Sequence, residues 1–176
     1  FDERHWQIIE SYAKMAVKNG VNMLLTPIFT PALDTAVGRE RPTTQLVDVQ
    51  LQDGVYTFGF EKLGRWVDMC DRIGVQYLEI AHFFTQWGAE HAPKVMATAD
   101  GEYRRIFGWD TDAAGEEYGA FLGALIPALL AFLREKNGWD KRCFFHISDE
   151  PSEEHLPQYA AARAQVTALL HGYPIM

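Results

Sequence analysis

Apolar side chains recur with helical spacing at Trp6, Ile9, Ala13, Ala16 and Val17, and Gly20 follows as a stop. This predicts a helix over 4–19. A short apolar run over 21–26, ahead of Pro27, predicts a strand. The stretch 27–44 has no period and carries Pro27, Pro31 and Pro42. Val47, Val49 and Leu51 then alternate with Asp48, Gln50 and Gln52, and Asp53-Gly54 leads into an apolar run over 55–58. Alternation around Asp-Gly predicts a β-hairpin with a two-residue turn. Phe60, Leu63, Val67, Cys70 and Ile73 predict a second helix, stopped at Gly74. A second buried strand follows over 75–81, and then a long aromatic-rich loop over 82–110. Residues 113–137 predict a long helix with Phe121, Leu122, Leu125, Leu129 and Phe132 on one face. Pro127 should kink it, because proline lacks the amide donor and crowds the preceding turn. Cys143 to Glu150 predict a third buried strand, with Glu150 held extended by Pro151. A final helix is expected over 157–171, ended by Gly172.

Strands that alternate with helices imply right-handed crossovers and a parallel sheet. Three such strands fit a doubly wound sheet or part of a barrel. No glycine-rich phosphate loop follows any of them, which weakens the nucleotide-binding version. The long segments all follow strand ends, and in a barrel those ends share the face that carries the site. The expected fold class is therefore α/β: about half of a (β/α)8 barrel. The chain is a single piece over 1–176, and a loop plus β-hairpin insertion occupies 27–59. Its opening and closing residues suggest a fragment of a larger domain. Open sheet edges and apolar helix faces on such a fragment would favour self-association.

The 176 residues suffice for one domain with a core, and 48% hydrophobic with 23% charged residues argue against disorder. A net charge of −8 argues against non-specific binding to nucleic acid or anionic lipid. No membrane span is expected from the hydrophobic runs. Cys70 and Cys143 each lie in an apolar segment and suit buried free thiols. No compartment follows from these features.

Strand alternation assigns the polar side chains to faces. The apolar sets Cys143, Phe145, Ile147 and Leu78, Ile80 should pack on helices. That turns His146, Ser148, Glu150 and Tyr77, Glu79 to the other face, with Asn22, Leu24 and Thr26 of the first strand beside them. Asp149 joins Glu150 only if the chain leaves the strand there. Two adjacent acids at a buried strand end repel each other, so they suggest chemistry rather than folding alone. The bland counterpart is that Asp149 and Glu150 begin the last helix, where acids suit the macrodipole. No His, Cys and acid cluster has metal-ligand spacing along the chain, so no metal and no cofactor is expected. Neither Ser148 nor either cysteine has a nucleophile's surroundings in sequence.

Ser148-Asp149-Glu150-Pro151 at a strand end resembles the adjacent Asp-Glu pair of glycoside hydrolase family 123. The segments Tyr77 to Ala89 and Ile106 to Asp110 are also similar to that family and its relatives. The resemblance implies a β-N-acetylhexosaminidase, for N-acetylgalactosamine, on a (β/α)8 barrel with the acids after the fourth strand. The three strands here would then be strands two to four. It implies substrate-assisted retaining hydrolysis, in which the 2-acetamido oxygen attacks the anomeric carbon and an oxazolinium-like intermediate forms. Glu150 would be the acid/base, and Asp149 would hold the acetamido N–H and stabilise the intermediate's charge. Glu79, His82, Trp87, Trp109 and His146 are candidate substrate contacts by their expected place in the barrel. Each also has a purely structural reading: paired acid, core histidine or packed aromatic. Two alternatives remain open. One is a conventional retaining barrel glycosidase with Glu150 as acid/base and a nucleophile outside this chain. The other is a non-catalytic carbohydrate-binding or scaffold barrel. The expected partner is a carbohydrate.

Overall fold

The computed structural model describes residues 1–33 and 35–176. Asp34, inside the irregular stretch after the first strand, lies outside the described residues. The fold is α/β, with two sheets and four α-helices among the described residues. Helix α1 spans Glu3–Lys18 and is capped by Asp2, whose carboxylate accepts the His5 N–H at 2.7 Å. Strand β1 is Met23–Thr26, β2 is Asp48–Gln52 and β3 is Val55–Gly59. Helix α2 covers Glu61–Ile73 and ends at Gly74, whose φ of 90° is the left-handed conformation glycine adopts without a Cβ penalty. Next come β4 (Tyr77–Ile80), β5 (Val95–Ala99), β6 (Glu102–Phe107), α3 (Glu116–Glu135), β7 (Cys143–Phe145) and α4 (Leu156–Thr167). Short 3₁₀ turns precede β7 and α4.

The first sheet is parallel, in the order β1-β4-β7. Helix α2 connects β1's side of the chain to β4, and α3 leads from β4's side to β7. Residues 174–176 continue this sheet: Ile175 bridges Phe145 in parallel, and the Met176 N–H donates to the Phe145 carbonyl at 2.8 Å. Residues 174–176 thus lie beside β7. The second sheet has the order β3-β2-β5-β6.

Half of that second sheet departs from expectation. The stretch 82–110 is not one loop, because it contains the β5-β6 hairpin. Asp100 and Gly101 turn it with φ of 51° and 87°, as Asp53 and Gly54 turn the first hairpin with 50° and 77°. The Asp-Gly signal is the same in both. Clean alternation marks β2, whereas β6 is Glu-Tyr-Arg-Arg-Ile-Phe and its surrounding aromatics obscure the pattern.

The inward set of β1 is also corrected. Register pairs Leu24 with Leu78 and Thr26 with Ile80, so these face the helices. Met23 and Leu25 share the other face with Tyr77 and Glu79. Thr26 tolerates full burial because its hydroxyl accepts the Trp66 indole N–H from α2 at 3.1 Å. A run of Met-Leu-Leu-Thr gave the polarity rule nothing to separate. The predicted faces of β4 and β7 hold: Leu78, Ile80, Cys143 and Phe145 are buried, and Glu79 pairs with Phe144.

Helix α3 runs through Pro127 as one element and is the packing centre. Phe121 touches Phe29, Tyr56, Phe58, Phe107 and Tyr118, with ring centroids 5.1–6.1 Å apart. Tyr56, Phe58 and Phe107 come from the second sheet, while Phe29 follows β1 and meets Phe83 just beyond β4. At 20 residues α3 is long and apolar enough to cross a membrane, contrary to the sequence expectation. Its stripe of Phe121, Leu122, Leu125, Leu129 and Leu133 is buried within the protein.

Candidate active site

The site candidates lie where β4 and β7 run out. Beyond Ile80 the chain keeps pairing with the segment after β7. The Phe83 N–H donates to the His146 carbonyl at 3.1 Å, Phe84 to Ile147 at 3.0 Å and Trp87 to Asp149 at 3.0 Å. The buried Ser148 hydroxyl donates to the Thr85 carbonyl at 2.7 Å. Strand β7 proper is thus shorter than expected, but its direction is held as far as Asp149. Ser148 is thus a structural tie, a role the sequence reading did not assign it.

Glu150 does not stay extended. Its φ is +48°, in the left-handed region that non-glycine residues occupy at a cost. The expectation drawn from Pro151 is overturned here, and the chain leaves the strand line at this residue. Opposite it, Trp87, Gly88 and Ala89 form a run of positive φ at 61°, 129° and 57°. A Cβ on Gly88 would sit 2.9 Å from the His155 ring, so the loop is pinned against the start of α4. The Trp87 indole N–H donates to Glu150 Oε2 at 3.3 Å. Trp87 is 41% exposed, so part of its surface is open to solvent near Glu150.

A second group sits nearer the strands. His146 Nδ1 and Glu79 Oε1 are 3.0 Å apart. The His82 ring lies 3.8 Å from the His146 ring, centroid to centroid. His82 is only 4% exposed, and neither ring nitrogen has a hydrogen-bond partner among the described residues. Burial lowers its pKa to about 4, the adjacent His146 acts in the same direction, and Glu79 opposes them. One donor atom from each of Glu79, His82 and His146 lies within 4.8 Å of the others. Linear spacing concealed this cluster, because its members come from two strands about 65 positions apart.

Trp109 occupies different surroundings. Its indole N–H donates to the Arg39 carbonyl at 2.8 Å, and its ring meets the edge of His91. With Thr85, Lys94 and Arg41 it lines a small cavity under the 27–44 stretch.

The profile described as "Glycoside hydrolase 123, catalytic domain" matches residues 1–176. The chain belongs to glycoside hydrolase family 123. A solved family 123 glycoside hydrolase from Clostridium perfringens, described in connection with glycolipid glycan hydrolysis, is similar in fold with a TM-score of 0.69. It shares 11% sequence identity, and the match covers 97% of this chain and 28% of that one. Among curated proteins none matches the sequence. Family 123 membership agrees with the resemblance first seen in Ser148-Asp149-Glu150-Pro151.

Proposed function

We propose that this chain is a piece of a (β/α)8 barrel glycosidase that removes β-linked N-acetylhexosamine, N-acetylgalactosamine first, by substrate-assisted retaining hydrolysis. In this reading β1, β4 and β7 are barrel strands two to four, residues 174–176 open the fifth, and 27–59 is an insertion. The observation that carries the reading is the placement of Asp149-Glu150 where the chain turns out of β7, with Glu150 under the Trp87 indole. Consecutive residues at a turn do not offer the two opposed carboxylates of a conventional retaining site, about 5 Å apart across the sugar. Neighbouring-group attack needs only one acid/base and one group for the acetamide.

Glu150 protonates the leaving oxygen and then activates water. Asp149 accepts the acetamido N–H and stabilises the positive charge that develops on the ring formed. Trp87 stacks on the sugar. Glu79 and His146, half-buried on the sheet face, meet sugar hydroxyls in this reading. Trp109 belongs to an outer part of the same mouth. The relative from Clostridium perfringens makes a glycolipid glycan a reasonable natural substrate class for this protein too.

The test uses the full-length protein on aryl β-N-acetylgalactosaminide, β-N-acetylglucosaminide and the two plain glycosides. Only the acetamido sugars should be cleaved, with Glu150→Gln and Asp149→Asn each losing about 10²–10⁴ in kcat. Cleavage of plain glycosides would instead favour a two-carboxylate enzyme with its nucleophile on a later strand. Sugar binding without turnover would favour a binding barrel.

A further inference from the structure

We propose that Glu79, His82 and His146 form a binding site for a divalent transition-metal ion of the zinc class, bridging the ends of β4 and β7. Three observations meet here. The donor set is two imidazoles and one carboxylate, a combination suited to zinc and its first-row neighbours rather than to magnesium or calcium. One donor atom from each residue already lies within 4.8 Å of the other two, so small side-chain rotations bring all three to metal-ligand distances. The third observation is the His82 ring, which is buried to 4% exposure with two unpartnered nitrogens, against the His146 ring at 3.8 Å. A buried polar group without a partner is costly, and native chains seldom keep one without a use.

A hydroxyl of a passing sugar does not account for His82 as well, because that ring is shut away from solvent while Glu79 and His146 are not. Their side chains are 24% and 21% exposed, so an ion can enter across them and reach His82 behind. Three protein ligands leave a fourth position for water or another ligand. The site lies three residues before Asp149 on the same strand line, yet the inference does not depend on what the acid pair does.

The experiment titrates zinc chloride into chelator-treated, desalted full-length protein by calorimetry. A parallel titration uses cobalt(II) chloride and follows visible absorption. We expect one ion per chain, a dissociation constant of roughly micromolar or below, and cobalt bands of low-symmetry nitrogen-oxygen coordination. His82→Ala and Glu79→Gln should each weaken binding by at least about tenfold. Glu150→Gln should bind the ion as the parent does while losing any hydrolysis, which separates this site from the acid pair. Should His82→Ala unfold, His82→Gln, checked by near-ultraviolet circular dichroism, takes its place. Absence of saturable binding below roughly 100 µM, or binding that survives loss of His82, would overturn the proposal.

Discussion

Glu150 and Trp87 face each other across two left-handed backbone positions joined by one indole hydrogen bond. Strain of this kind persists when surrounding structure enforces it, and it is common where a side chain must point one way. Trp87→Phe keeps an aromatic face and deletes the donor. The expected result is a kcat lower by roughly tenfold with KM little changed, since a hydrogen bond is worth about 0.5–1.5 kcal/mol and about 1.4 kcal/mol is tenfold in rate. A fall confined to KM would show that Trp87 serves the sugar alone. The cysteines are the other single-residue test. Burial pushes both thiols up to about 12 from an ordinary 9.0. The folded state therefore keeps these protons when the unfolded chain has lost them. Their contribution to stability is whole below pH 9 and fades between about 9 and about 12. At pH 8 neither should react with an alkylating reagent until the protein unfolds, a point mass spectrometry settles. The buried, free state of Cys70 and Cys143 was legible in sequence from their apolar neighbours. The backbone of Glu150 was not, because the local preference set by Pro151 gave way to tertiary contacts.

At the scale of elements, α3 packs on the second sheet through Phe121. Phe121→Ala should cost about 3–5 kcal/mol in chemical denaturation, as large core truncations do when neighbours cannot close the gap. A loss below about 1 kcal/mol would mean that the ring cluster does not hold α3 to that sheet. Thr26→Val leaves the Trp66 indole N–H unpaired in the core and should cost about 1–3 kcal/mol. The same denaturation series measures it. Helices α1 and α2 and the first hairpin were readable because their signals are local: a period, a stop glycine, an Asp-Gly turn. The β5-β6 hairpin carried the same turn signal at Asp100-Gly101 but lacked alternation in β6, so pattern alone missed it. The facing of β1 escaped for another reason. Four consecutive residues of similar polarity do not encode a side, and only pairing with β4 does.

For the whole molecule, the parallel sheet continues through residues 174–176 beside β7. The amides of Phe145 and Met176, bonded at 3.0 and 2.8 Å, should be protected from hydrogen exchange to the level of the β4 amides. Exchange as fast as in a terminal tail would remove that pairing. The α/β class, the elements with a clear local pattern and the Asp149-Glu150 pair at a strand end were determined by the sequence itself. Helical period, strand alternation and turn residues act over a few positions and need no partner. Tertiary structure alone decided which face of β1 looks at the helices, and that β2 pairs with β5 across some fifty residues. It alone decided that Glu79, His82 and His146 meet. Those outcomes depend on register between distant strands, where a shift of one residue turns every side chain to the opposite face. A linear pattern holds no record of that register until the strands are packed.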